Sequence, residues 1–463
     1  MASANVKSAL DGVATANDHL SSDADGMLQI EGRSAESLLE EFGSPLYVVS
    51  EATLRTNFRR IRDAFQSRWP RPVNVMYAIK ANNNLAIRAI LHEEGAGGDC
   101  FGEGELYATF LGGADHDKLV MNGTNKTYAE LTAAVKAGVR VNIDGADEVA
   151  MLTEIAAETG RTARVCLRVK VTPQELEQFV PDYTARPFNM LDGVRGMQWG
   201  YSIEAATQMV PEILAAPGIE LDGYHLHVGR SNPEPDYYRT LALAYVETIV
   251  ELKRTTGYTP EIVNIGGGYA RERDPESRSL SLNPYEIEEY AESITGPLLE
   301  GLEQAGIPIP RLWMEPGRYV VGNAVVLLGR VGTVKRDLEK VWVNVDVSVN
   351  NLMRIETAHS TYHLLAANHL LDPHDEVVDI VGPLCLGAPL GSGRTFPHVE
   401  RDDIVAVLDA GMYAETAANQ MNGVPRPATV LVNDDDAEVI KERESIHDVF
   451  VHHRIPVRLR GGG

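Results

Sequence analysis

Cysteine is scarce in this chain of 463 residues: only Cys100, Cys166 and Cys385, far apart from one another. An odd and scattered trio excludes both a disulfide framework and a CxxC-type zinc site, and points to a reducing compartment. Basic residues are also few, 42 Lys plus Arg against 66 Asp plus Glu, for a formal net charge of −24. So acidic a chain lacks the electrostatic footprint for nucleic acid or an anionic membrane surface. No apolar run is long enough to span a bilayer; even AVVLLGRVGTV is broken by Arg330. The first 25 residues are rich in Ala, Ser, Asp and Asn, hold no signal-peptide core, and read as a flexible tail. A cytoplasmic protein is expected.

The chain is longer than one ordinary domain, and its texture changes once. From about residue 73 to 315, short apolar runs alternate with helical patterns. The runs are VNVMYA, GGDC, KLVM, RVNI, RVCLRV, LDGYHLHV, EIVNI and RLWME. Between them, segments such as LAIRAILHEEG and YAELTAAVKAG place apolar residues three and four apart and end on glycine, as helices do. Eight strands, each followed by a helix, predict a closed (β/α)8 barrel over residues 51–325 rather than an open doubly wound sheet. From residue 326 to 463, VVLLGRVGTV, KVWVNVDV, VVDIVG, DIVAVLDAG and ATVLV predict a second, β-rich domain. MLQI and SPLYVV, within residues 26–50, are expected to add strands to it.

Active sites of such barrels lie at the C-terminal ends of the strands. Those ends carry Lys80, Asp99, Asn122, His227, Gly266 to Gly268, and Glu315 with Arg318. Singly, each has an ordinary reading: a solvated strand-end lysine, a tight glycine turn, a salt-bridged loop. His225 and His227 alternate on one strand face, but two imidazoles lack the other ligands of a zinc site, and a core histidine is the better reading. IGGGY is followed by no Lys-Ser/Thr, so it is not a P-loop. Together the groups match the needs of pyridoxal 5′-phosphate. Lys80 supplies an amine for the aldehyde, the glycines and Arg318 suit the phosphate, and Glu315 suits the pyridine nitrogen. His227 is placed to lie flat against the ring.

The ordered set YAIKANNN, HLHVG, IGGGY, EPGR and DAGMYAETAANQMN resembles the fold-type III pyridoxal phosphate decarboxylases, the diaminopimelate decarboxylases above all, from about residue 28 to 432. The resemblance implies a homodimer with shared active sites and an alanine racemase-like barrel plus β domain. It makes Lys80 the lysine joined to the cofactor and His227 the stacking histidine. It assigns Asp99, Ser231, Gly266, Gly267, Gly268, Glu315, Arg318 and Tyr413 to the cofactor site. Arg318 matches an arginine near the phosphate and the substrate, and Arg354 aligns with the arginine that takes the substrate's distal carboxylate. Cys385 matches a cysteine supplied by the other subunit to help protonate the α-carbon.

The departures fall at the substrate end. The family run Cys-Glu-Ser-Gly-Asp is here Cys385-Leu386-Gly387-Ala388-Pro389, and Leu386 cannot pair with a distal ammonium group. Arg230 stands where the family has a phosphate-binding serine. Ala358 or His359 falls near the place of an expected tyrosine, and Met421 replaces another. The expectation is a pyridoxal phosphate-dependent α-decarboxylase whose substrate is not standard meso-diaminopimelate, with an acidic, acylated or carrier-linked distal end. The alternatives are a true meso-diaminopimelate decarboxylase of lysine biosynthesis, a racemase or epimerase on the same cofactor, and a non-catalytic binding homologue.

Overall fold

The structure is a computed structural model that describes residues 8–15, 17–179, 189–227, 229, 231–385, 388–434 and 436–460. All eight expected strands form and close into one parallel barrel: Val73–Ala78, Gly97–Phe101, Leu119–Asn122, Arg140–Ile143, Ala163–Arg168, Ile219–His225, Ile262–Asn264 and Arg311–Met314. Closure comes from the eighth strand pairing with the first, Leu312 opposite Val73. The helices form where the apolar spacing placed them. Leu85–Glu93 is capped by the Asn84 side chain. Tyr128–Ala137 starts on a Thr127–Glu130 capping box and stops at Gly138, whose φ of 77° only glycine adopts without strain.

The second unit is a nine-stranded sheet. Its main path runs Gly391–Phe396, Glu376–Val381, Lys340–Val345, Val325–Asp337, Leu46–Ser50, Ala428–Asn433 and Asp436–Lys441, with Ile404–Val407 and Leu364–Ala366 paired beside the long central strand. Leu46–Ser50 therefore joins this sheet as SPLYVV predicted. MLQI does not: Leu28–Ile30 forms a separate three-stranded sheet with Leu20–Ser22 and Arg33–Ser34.

The expected flexible tail needs correcting over residues 8–15 and 17–25. Ser8 caps a short helical turn, Ala9–Gly12, in a capping box with Asp11, and Leu10 is buried. Asp18 reaches the barrel domain, where it pairs with Arg273 at 2.8 Å. The alanine-rich composition concealed one apolar anchor and one charged anchor.

Toward the other end of the barrel, Arg140 Nε lies 2.5 Å from Asp222 Oδ2, both side chains being buried. The guanidinium also faces the Trp313 ring at 4.7 Å and donates to the Asp117 carbonyl. Removing one member of a buried pair strands the other's charge, at about 3–5 kcal/mol. Asp222→Ala is expected to destabilise the fold by that amount in denaturant unfolding. Pairing it with Arg140→Met should recover at least half of the loss. A single-variant loss below about 1 kcal/mol would contradict this.

Candidate active site

Six strand ends converge on one buried carboxylate. The first strand runs into a helical turn, Ile79–Ala81, which carries Lys80 over the barrel mouth. Lys80 Nζ lies 2.9 Å from Asp99 Oδ2 and 4.5 Å from the centre of the Phe101 ring. Asp99, fully buried in the second strand, accepts a 2.7 Å hydrogen bond from Asn122 at the end of the third. Asn122 also donates to Glu315 Oε1 at 3.2 Å, and its own carbonyl accepts from Asn142 of the fourth strand at 2.8 Å. Asn264, which ends the seventh strand, donates to the same Glu315 oxygen at 2.8 Å. His225 Nε2, at the end of the sixth, sits 3.0 Å from Glu315 Oε2. Glu315 itself directly follows the eighth strand.

The electrostatics follow from this arrangement. Burial works against the Glu315 charge, but His225, Lys80 and the Asn264 hydrogen bond outweigh it, and the carboxyl is held well below its ordinary range. Burial likewise opposes the Lys80 ammonium, yet Asp99, Tyr413 and Glu315 raise its pKa. Burial pushes the Asp99 carboxyl up, against the pull of Lys80. His227, just past the sixth strand, is desolvated and faces the Arg168 and Lys80 charges, so its pKa falls to about 3 and the ring is neutral.

The glycine run forms a backbone cradle. A Cβ at Gly267 would sit 1.9 Å from the Glu315 carbonyl oxygen, and one at Gly268 2.4 Å from the Gly229 oxygen. Ser231 joins this wall by donating its N–H to the Gly268 carbonyl at 2.9 Å. Chain packed this closely lets N–H groups approach an anion, as phosphate requires. The residues present therefore fit pyridoxal 5′-phosphate: an amine, an ionised carboxylate, a neutral imidazole and a glycine cradle share one barrel mouth.

The substrate-end residues divide. Tyr413 donates its N–H to the Ala81 carbonyl at 2.7 Å, which seats the DAGMY segment beside Lys80. Arg318 binds Asp274 at 2.8 Å and also pairs with Glu276. Arg354, on the short helix Arg354–Ala358, faces the Tyr413 ring at 5.4 Å and donates from Nε to Glu276 at 2.7 Å. Cys385 is exposed, and its thiol meets Asn422 at 3.5 Å rather than Lys80 or Glu315. Arg230 and Leu386 lie outside the described residues.

Sequence reasoning missed the parts of Glu315's shell other than Asn122. His225 read as a core histidine, and Asn142 and Asn264 were passed over. The usable signal was an amide at or near the C-terminal end of three short strands, LVMN, RVNI and IVN. Asp274 and Glu276 carried no signal, because nothing in the local pattern of their loop places it against Arg318.

A barrel with this constellation at its mouth defines a class, enzymes that act on amino acids with pyridoxal 5′-phosphate. Comparison with known proteins gives the family. Residues 51–322 match the family model for the pyridoxal-dependent decarboxylase, pyridoxal binding domain. The diaminopimelate decarboxylase of Methanothermobacter thermautotrophicus is 33% identical over 440 residues, 94% of this chain and 97% of that protein. That of Archaeoglobus fulgidus is 32% identical, covering 94% and 99%. The crystal structure of M. jannaschii diaminopimelate decarboxylase with L-lysine superposes with a TM-score of 0.86 at 29% identity, covering 96% of this chain and 99% of that one. The chain belongs to the pyridoxal-dependent decarboxylases; it is a carboxy-lyase with pyridoxal 5′-phosphate as cofactor.

One further carboxyl borders the site. Glu105 accepts the Phe101 N–H at 2.6 Å, and burial, with the Asp99 charge adding, lifts its pKa from 4.5 to about 7. A raised carboxyl contributes stability that is full below about pH 4.5 and is lost as pH rises through about 7. Glu105→Gln is expected to remove that loss. Between pH 5 and pH 8 the unmodified protein should lose about 2 °C of Tm more than the variant. Parallel Tm curves over that range would contradict this.

Proposed function

We propose that the protein removes the α-carboxylate of an amino acid related to diaminopimelate but altered at its distal end. The observation that carries this reading is Glu315, held at the barrel mouth by His225, Asn122 and Asn264, with Lys80 at the same mouth. Pyridoxal 5′-phosphate, when bound, supplies an aldehyde that takes up an amine and a ring that draws electrons from the α-carbon.

In this reading the chain's own groups divide the work. Lys80 supplies the amine; its ammonium, paired with Asp99 at 2.9 Å, must release a proton before it can react. Glu315 keeps a proton on the ring nitrogen because its own carboxyl stays ionised. His227 is neutral, so it can stack on a cationic ring without like-charge repulsion. Gly266, Gly267, Gly268 and Ser231 bind the phosphate, with Arg318 and Tyr413 at the border between cofactor and substrate. Cys385 is exposed and its thiol meets Asn422, which suits a thiol delivered across a homodimer to donate a proton at the α-carbon. A cytoplasmic enzyme fits an acidic chain in which, among the described residues, no helix is long and apolar enough to cross a membrane.

The names of the relatives favour a second reading, in which the substrate is meso-diaminopimelate itself. Carbon dioxide release from a panel holding diaminopimelate isomers, L-lysine and distally acylated diamino acids separates the two. The main reading expects a panel member to be turned over faster than meso-diaminopimelate. Brisk release from meso-diaminopimelate alone would establish the second.

Site sharing has its own test. Lys80→Ala and Cys385→Ala should each lose most activity, Lys80→Ala by at least about 10³-fold. Unfolding and refolding the two together should restore about a quarter of full activity, because half of randomly assorted dimers carry one intact site. No recovery on mixing would show that each site is built from a single chain.

A further inference from the structure

Arg318 and Arg354 are the obvious receptors for a ligand carboxylate, yet both are already engaged. Arg318 spends Nη1 on both oxygens of Asp274, at 2.8 and 3.1 Å, and Nη2 on Glu276. Arg354 spends Nε, at 2.7 Å, and Nη2 on the other Glu276 oxygen. Asp274, Glu276 and Arg318 are all buried, with Arg354 closing the cluster from the rim. Two carboxylates against two guanidiniums leave no net charge. A third carboxylate entering here would add an uncompensated negative charge in a desolvated place.

Glu276 is also held firmly. Asp274 caps the turn Pro275–Ser277 by accepting the Glu276 N–H at 3.0 Å. The Pro275 carbonyl accepts from Thr361 at 2.7 Å, and Arg278 donates to the Ala358 carbonyl at 3.2 Å. On the other side Arg273 pairs with Asp18 at 2.8 Å and with Asp409 at 2.5 Å, tying the same loop to the N-terminal segment and the DAGMY run. An incoming anion would have to displace a side chain whose backbone is fixed at both ends.

We propose that Glu276 is a specificity-determining residue: it takes the place a ligand's distal carboxylate would occupy between Arg318 and Arg354, and so turns the site toward substrates whose distal end is neutral or cationic. This rests on the decarboxylase reading and narrows its substrate class. It withdraws the acidic distal end from the candidates, since the arginine that would receive it is occupied.

The test uses the protein loaded with pyridoxal 5′-phosphate and pimelate, a dicarboxylate that cannot react. Calorimetry should show weak pimelate binding to the unmodified protein and at least about tenfold tighter binding to Glu276→Gln, which leaves Arg354 and the Arg318 Nη2 without an anionic partner. Adding Arg354→Gln to that variant should abolish the gain. Alongside, the ratio of kcat/KM for meso-diaminopimelate over L-lysine should rise at least about tenfold in Glu276→Gln. Should Glu276→Gln fail to fold, Glu276→Asp retracts the carboxylate by one methylene and should shift pimelate affinity in the same direction by a smaller factor. Unchanged or weaker pimelate binding in whichever variant folds would overturn the role of Glu276. If no amino acid is decarboxylated, the proposed reaction falls, while the pimelate titration still decides what Glu276 does.

Discussion

A carboxylate kept ionised where water is excluded is the constraint that organises this protein. Burial alone would drive Glu315 to its neutral form, and a neutral carboxyl could not hold a proton on a ring nitrogen. The fold answers with donors drawn from separate strands: Asn122 from the third, His225 from the sixth and Asn264 from the seventh. Those strands are far apart in sequence, and only closure of the barrel brings their ends together. The parallel register explains the convergence, since every strand presents its C-terminal end to the same mouth.

Around that mouth, the same physics is used twice with opposite results. Glu315 is surrounded by neutral donors and by groups that can carry positive charge, so its charge remains available to a bound ring. Glu276 is saturated by two arginines, so its charge is spent inside the protein. The first carboxylate serves chemistry; the second serves discrimination. The N-terminal segment belongs to this second arrangement, because Asp18 holds Arg273 and thereby the loop that carries Asp274 and Glu276. An element that reads as a solvated tail thus steadies the rim of the site.

Much of the barrel was legible because its signals are local. Strand runs such as RVCLRV and helix ends such as Gly138 are written in contiguous residues, and strand-end logic then placed Lys80, Asp99, Asn122 and Glu315 at one mouth. The rest depended on distance. His225 looked like packing until a residue 90 positions away gave it a partner. Glu276 could not be linked to Arg354 by spacing, since the two lie 78 residues apart on a loop and a short helix. MLQI carried a strand pattern but nothing to say which sheet would take it. Arg230 and Leu386, the most conspicuous departures at the substrate end, fall outside the described residues.

Reduction of the pyridoxal 5′-phosphate-loaded protein with borohydride, followed by peptide mapping, bears most directly on the central claim. The account predicts one pyridoxyl group per chain, on the Lys80 side chain, with labelling sharply reduced in Glu315→Gln at limiting cofactor. A label on another lysine, or none, would contradict it.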